Sequence, residues 1–242
     1  MASKPVSSEA TGGAARPDPR RAVVEALFRL AASRDWDTIE LPDIAQEAGI
    51  GLAEMRNLFP SKLAILGGLT RMADEAVLAG NSDDLRDESY RERMFDLVMR
   101  RLDALAPYKA GLRSALVALR RDPLALAAFG RSATNSWRYM LASAGIPTED
   151  SLGSVRARGA VLLMSRVMET WLVDDEPELS RTMAKLDAEL KTAARVMARV
   201  EDVHRLTAPL RGLARALCGG RRERRRRERM QPEAPDDYAV AI

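Results

Sequence analysis

An all-α fold is predicted, with an N-terminal helix-turn-helix head of three helices on a larger C-terminal helical bundle. Three observations predict it. Ala, Leu and Arg, which lose little entropy in a helix, are abundant, while aromatic residues are only 5% of the chain. Apolar residues recur at three- and four-residue spacing, and no stretch reads as a strand. Two short helical segments flank a glycine turn at Gly49, behind a longer helix.

Each element follows from local chemistry. Residues 1–17 are small, polar and rich in Gly, Pro and Ser, and read as a disordered start. The first helix is expected from about Asp18 or Pro19 to Ser33, with Asp18 as cap, Pro19 in the first position, and Val23, Ala26, Leu27, Leu30 and Ala31 as the buried stripe. Asp35-Trp36-Asp37 interrupts it. A short helix from Pro42 to Ala48 ends at Gly49, and another spans Leu52 to Leu58 before Phe59-Pro60. Ser61 caps a fourth helix running to Gly80, which completes a head at 18–79. The polar, mostly acidic stretch from Gly80 to Glu88 is the expected domain boundary.

The body is placed at 88–203. Its helices are expected at Tyr90 to Ala106, from Pro107 onward, from Asp122-Pro123 to Ala144, and at Val155 to Val173. The last of these is apolar around much of its circumference, which predicts a central position. Asp175-Glu176-Pro177 reads as the start of a long helix that buries Leu179, Met183, Leu186, Leu190 and Met197. Residues 204–218 form an amphipathic terminal helix with Val203, Leu206, Leu210, Leu213 and Leu217 on one side and Pro209 as a kink. It suits a partner helix or an anionic membrane surface, so peripheral membrane contact stays open. Residues 219–242 are an Arg-rich tail, read as disordered.

In a helix-turn-helix, the second helix enters the major groove with its first turns facing the bases. The text here is Ala26-Leu27-Phe28, then Asp43-Ile44-Ala45-Gln46-Glu47-Ala48-Gly49-Ile50, then Leu58-Phe59-Pro60-Ser61-Lys62 and Leu66. Over about Arg20 to Leu69 it resembles the TetR family of transcriptional regulators. The resemblance implies a TetR-like fold, an operator DNA partner, and a body that forms a homodimer and binds a small ligand that repositions the heads. Gly51, Leu52, Ala53, Arg56 and Asn57 would then face DNA, and Lys62 would meet a phosphate. The family usually carries a tyrosine at the place of Arg56 and a small hydroxyl residue at Gly51. From Arg16 to Lys62, seven basic residues stand against eight acidic ones, whereas phosphate neutralisation dominates DNA affinity. A helix-turn-helix kept only as scaffold is the alternative.

The body also resembles the lipid-binding accessory family of coenzyme Q (ubiquinone) biosynthesis, over about Arg91 to Arg195. The resemblance is carried by Trp171-Leu172-Val173-Asp174-Asp175 and by Thr182-Met183-Ala184-Lys185-Leu186-Asp187. It implies an isoprenoid or quinone-precursor ligand and no DNA binding. Trp137, Met140, Leu141, Met164, Met168 and Trp171 are the candidate lining of an apolar ligand cavity. The same spacing also describes ordinary core.

Composition sets bounds. The single cysteine, Cys218, excludes an intrachain disulfide. With no signal-like or membrane-spanning segment in the sequence, a cytoplasmic protein is expected. The net charge of +3 is uneven: seven arginines less two glutamates give residues 221–229 a charge of +5, leaving −2 for the rest. One His and one Cys cannot build a His/Cys-rich zinc site, and no catalytic triad, P-loop or dinucleotide fingerprint is present. No enzyme activity and no cofactor are expected.

Overall fold

The computed structural model describes residues 18–80 and 87–207. The expectations for 1–17, 208–218 and the tail at 219–242, Cys218 included, lie outside the described residues. Within them every regular element is helical: α1 (Pro19–Ser33), α2 (Leu41–Glu47), α3 (Leu52–Leu58), α4 (Lys62–Ala79), α5 (Tyr90–Leu105), α6 (Lys109–Arg121), α7 (Pro123–Ser143), α8 (Gly153–Trp171) and α9 (Ser180–Leu206). Short 3₁₀ turns at Trp36–Thr38 and Ala106–Tyr108 precede α2 and α6.

Local chemistry sets the ends of these helices. The Asp18 carboxylate accepts from the Arg20 N–H at 3.0 Å, and Pro19 needs no acceptor. The Ser61 hydroxyl caps α4 through the Ala64 N–H at 3.2 Å. At Ser89, hydroxyl and backbone N–H exchange bonds with Glu92 in a capping box. Asp122 accepts from the N–H groups of Leu124 and Ala125, both at 3.0 Å, to open α7.

α1 buries Val23, Val24, Ala26, Leu27, Phe28 and Ala31 against α2, α4 and above all α6. Gly111 of α6 permits this. A Cβ there would lie 2.6 Å from the Phe28 carbonyl oxygen, so only glycine lets the two helices approach so closely. α4 packs on α1, α5 and α7, joining head to body. The compact unit therefore runs unbroken to Ala193, with a second from Ala194, rather than dividing at the linker after Gly80. Tertiary packing across α1–α6 and along α4 outweighs the change in composition at 80–88.

Several sequence expectations for α8 and α9 need correction. α8 is not central: Val155, Arg158, Gly159, Leu162, Arg166 and Glu169 form an exposed face, opposite buried Ala157, Leu163, Met164 and Val167. α9 does not start at Asp175. The chain turns first, with Leu179 in the left-handed region at φ 50°, and the helix begins at Ser180. Asp174 is the reason. Fully buried, its carboxylate accepts from the Thr182 hydroxyl at 2.6 Å and the Thr182 N–H at 2.8 Å, tying the corner to the first turn of α9. Lys109 closes the corner from α6. Its Nζ donates to the Asp174 carbonyl at 2.5 Å and sits over an aromatic face, 5.4 Å from the Trp171 ring centre. In α9, Thr182, Leu186 and Leu190 are buried, while Met183 and Met197, and Leu179 in the turn before it, are only partly so. The helix continues without a break from 194 to Leu206, so residues 204–206 belong to α9 rather than to a separate terminal helix.

Candidate functional site

The head presents α3 outward. Gly49 adopts φ 69° in the turn after α2, a left-handed conformation that glycine takes without steric cost. Met55 is 1% exposed and anchors α3, with Phe59 buried just beyond it. Gly51, Leu52, Ala53, Arg56 and Asn57 are all exposed, and Leu52 keeps half its surface. Leu52, Ala53, Arg56 and Asn57 share one face. At about 100° per residue, Glu54 lies roughly 130° from the centre of that face, so its charge points to the side.

Three of the eight acidic residues from Asp18 to Glu54 form ion pairs with arginines of the head. Glu25 pairs with Arg21 at 2.8 Å and with Arg29 at 4.0 Å. Glu47 pairs with Arg29 at 2.8 Å, and Asp43 with Arg34 at 3.1 Å. Asp43 also accepts from the Glu40 N–H at 3.0 Å, and that bond, with Arg34 beside it, holds its carboxyl below the ordinary range. Arg56 makes no ion pair among the described residues and is the open cation of the α3 face.

Lys62 sits differently from the place the sequence implies. Its Nζ donates to the Trp36 carbonyl at 2.6 Å and the Ile39 carbonyl at 2.9 Å, and lies 5.0 Å from the centre of the Trp36 ring. Burial pushes its pKa down. It is a half-buried clip between α4 and the chain before α2, with one of its three N–H groups left for a phosphate. Arg20 does similar work, donating to the Leu58 carbonyl at 2.9 Å and covering the Phe59 ring at 5.4 Å.

The body holds a cavity of about 210 Å³ bounded by α4 to α8. Leu66, Leu69 and Leu105 form its floor, Leu112, Leu116 and Leu119 of α6 one wall, and Trp137, Met164 and Met168 another. Leu126 and Phe129 from the first half of α7 lie over it, and Leu126 stays 45% exposed. Arg120 and Glu169, paired at 2.7 Å, stand at its edge.

Trp137, Met164 and Met168 thus line the cavity, whereas Met140, Leu141 and Trp171 do not. Those three are 0%, 3% and 1% exposed and fill core between helices, with Trp171 turned to Lys109. One polar group was missing from the sequence expectation. Arg101 is 5% exposed, pairs with Asp74 of α4, and donates to the Ser136 hydroxyl at 3.4 Å. The Ser136 hydroxyl in turn donates to Asp74 at 2.8 Å, and the guanidinium lies 5.6 Å from the Trp137 ring centre. The signal was in the spacing: Arg101 is three residues after Val98 and four before Leu105, on the buried stripe of α5.

α6 meets three surroundings on three faces. Gly111 and Ser114 face the head, where the Ser114 hydroxyl accepts the Trp36 N–H at 3.1 Å. Leu112, Leu116 and Leu119 face the cavity. Lys109 and Arg113 face the 172–174 corner, donating to its carbonyl oxygens.

A helix-turn-helix head packed directly on a cavity-bearing helical body defines the architectural class. Comparison with solved structures gives it a name. The chain is similar to a TetR transcriptional regulator from Nitrosomonas europaea, with TM-score 0.59 and 23% identity over 73% of this chain and 99% of that one. It is also similar to a TetR transcriptional regulator from Rhodococcus sp. RHA1, with TM-score 0.54 and 16% identity over 72% and 95%. At such identities the likeness establishes the fold, which is TetR-like. No protein-family model matches the sequence, and no curated protein matches it either. Among the described residues no helix is long and apolar enough to cross a membrane, and no cluster of three or more His, Cys, Asp or Glu residues is placed to hold a metal.

Proposed function

We propose that the chain is a DNA-binding transcriptional regulator of TetR type that acts as a ligand-responsive homodimer. The observation that carries this reading is the α3 face: Leu52, Ala53, Arg56 and Asn57 exposed together, with no carboxylate pairing Arg56 among the described residues. Asn and Arg are the side chains that bond adenine and guanine edges in the major groove. Gly51 at the start of α3 lets that end approach DNA closely, and Lys62 keeps one N–H for a phosphate.

The ligand response runs through α6. A molecule in the cavity presses on Leu112, Leu116 and Leu119, and the same helix carries Gly111 and Ser114 against α1 and the turn before α2. Dimerisation is assigned to the exposed face of α8, where Val155, Gly159 and Leu162 follow helical spacing with Val155 43% and Leu162 52% exposed.

The quinone-lipid reading has less support. The Trp171-to-Asp187 residues that suggested it build the corner held by Asp174 and Lys109. By scaling from an apolar cavity of about 150 Å³ that holds one benzene, 210 Å³ takes about eight heavy atoms, so a chain of two or more isoprene units would extend beyond it past exposed Leu126.

The test is fluorescence anisotropy with DNA from upstream of the protein's own gene, titrated with salt and with unrelated DNA as competitor. A sequence-selective, salt-sensitive complex that Arg56→Ala weakens is expected. The arginine run at 221–229 would give attraction blind to sequence. Binding that unrelated DNA competes away equally, or that Arg56→Ala leaves intact, refutes the regulator reading.

A further inference from the structure

We propose that the cavity selects a small, uncharged, mainly apolar molecule carrying one hydrogen-bond acceptor, such as an aryl or short alkyl ketone, and that Arg101 holds that acceptor. The inference deepens the ligand-responsive reading above and rests on it for the biological role only. The lining is mainly apolar, with Leu112, Leu116, Phe129, Met164 and Met168 among it, beside the hydroxyls of Thr70 and Ser165. Arg101 is the buried charge in the wall, and two of its five N–H groups are used, on Asp74 and Ser136.

The charge pattern decides among ligand classes. Asp74 already neutralises Arg101, and Glu169 already pairs with Arg120 at the edge. A ligand carboxylate would shed its water and then share one guanidinium with an existing carboxylate, so like-charge repulsion and desolvation both oppose it. A pure hydrocarbon packed against Arg101 would displace water from its guanidinium and leave N–H groups unbonded, which also costs affinity. A carbonyl or ether oxygen avoids both penalties. The volume sets the size at about eight or nine heavy atoms, by scaling from a cavity that holds benzene.

Three compounds of matched size separate these cases: acetophenone, ethylbenzene and benzoate. Each is titrated into the full-length protein at pH 7.5 without DNA, and affinity is read by calorimetry and ligand-observed NMR. Acetophenone is expected to bind at least tenfold more tightly than either of the others. In the double variant Arg101→Met/Asp74→Asn, which removes both charges together, its advantage over ethylbenzene should shrink to within twofold. Should that variant not fold, Leu116→Phe, which fills the cavity, should weaken acetophenone at least tenfold while thermal unfolding stays cooperative. Benzoate binding more tightly than acetophenone, ethylbenzene matching it, none of the three binding, or Leu116→Phe leaving affinity intact overturns the assignment. Selective ketone binding by a protein that ignores operator DNA would leave this inference standing and remove the regulator. Operator binding without ketone binding would do the reverse.

Discussion

Gly111→Ala is the sharpest probe of how the head is held. The added Cβ would lie 2.6 Å from the Phe28 carbonyl oxygen and 3.0 Å from Phe28 Cδ1, where ordinary contact begins at 3.4 Å. It therefore intrudes by 0.8 Å on a backbone atom that cannot rotate aside, and α1 and α6 must separate. Overpacking of this kind typically costs about 1–3 kcal/mol. Replacing a helical glycine returns roughly 0.5–1 kcal/mol by restricting the unfolded chain, and less so near the start of α6. The net cost spans about 0–2.5 kcal/mol, and the rigid backbone clash favours the upper part, about 1–2.5 kcal/mol or roughly 2–10 °C in Tm for a chain of this size.

Gly130→Ala supplies the control. Gly130 lies inside α7, and a Cβ there meets nothing within 4 Å. The helix-propensity gain of about 0.5–1 kcal/mol acts alone, so Tm should rise by roughly 1–4 °C. Differential scanning calorimetry on the two variants under one buffer reads the sign directly. If both substitutions raise Tm, α1 and α6 are not in the contact described, and the head is not clamped to the body as argued.

Other outcomes follow from the same geometry. Arg56→Ala should cost about 1–3 kcal/mol of operator affinity if Arg56 bonds a base, or reduce the slope of log K against log salt by about one per site if it meets a phosphate; anisotropy across a salt series distinguishes the two. Leu162→Glu should shift the elution of the native protein from dimer to monomer while leaving its circular dichroism unchanged; an unmoved elution volume removes α8 from the interface. Asp174 gives a pH dependence. The Thr182 hydroxyl, chiefly, holds its carboxyl below the ordinary range against the opposing effect of burial. A depressed folded pKa contributes stability above the unfolded value of about 3.9 that is lost as pH falls through the folded value. Asp174→Asn should therefore melt lower at pH 7, and the gap to the parent protein should narrow in acid denaturation below about pH 4.

Where sequence reasoning succeeded, the determinants were local. Asp18-Pro19, Ser61 and Asp122-Pro123 mark helix starts because a cap and the backbone N–H that donates to it lie within three residues of each other. α9 was misplaced because Asp175-Glu176-Pro177 has the composition of a helix start, while the adjacent Asp174 is committed to Thr182, eight residues on. α8 was misjudged because apolar content does not reveal whether a face meets a neighbour: Val155 and Leu162 lie open, while Leu163 and Val167 are covered. The cavity divides the expected lining for a related reason. Trp137 and Met140 are both buried on α7, but spacing cannot say that one borders a void and the other packed side chains.

Cation placement was the least legible feature, and it bears on function. Each of the three tryptophans has a basic group over its ring: Lys62 on Trp36, Arg101 on Trp137, and Lys109 on Trp171. These pairs lie in the head, at the cavity wall and at the α8–α9 corner, and in each the cation also bonds groups from another element. Charges that a linear reading assigns to solvent, or to DNA, are thereby spent on joining elements. In the head, Lys62 is held by two carbonyls and Arg21, Arg29 and Arg34 pair with carboxylates, so under the proposed reading DNA affinity would rest on a small number of base and phosphate contacts rather than on a broad field. Under the proposed reading, a small displacement of α3 would release such a regulator, because each lost contact would be a large share of the total. α6 touches both the cavity and the head, and under that reading it would supply the displacement.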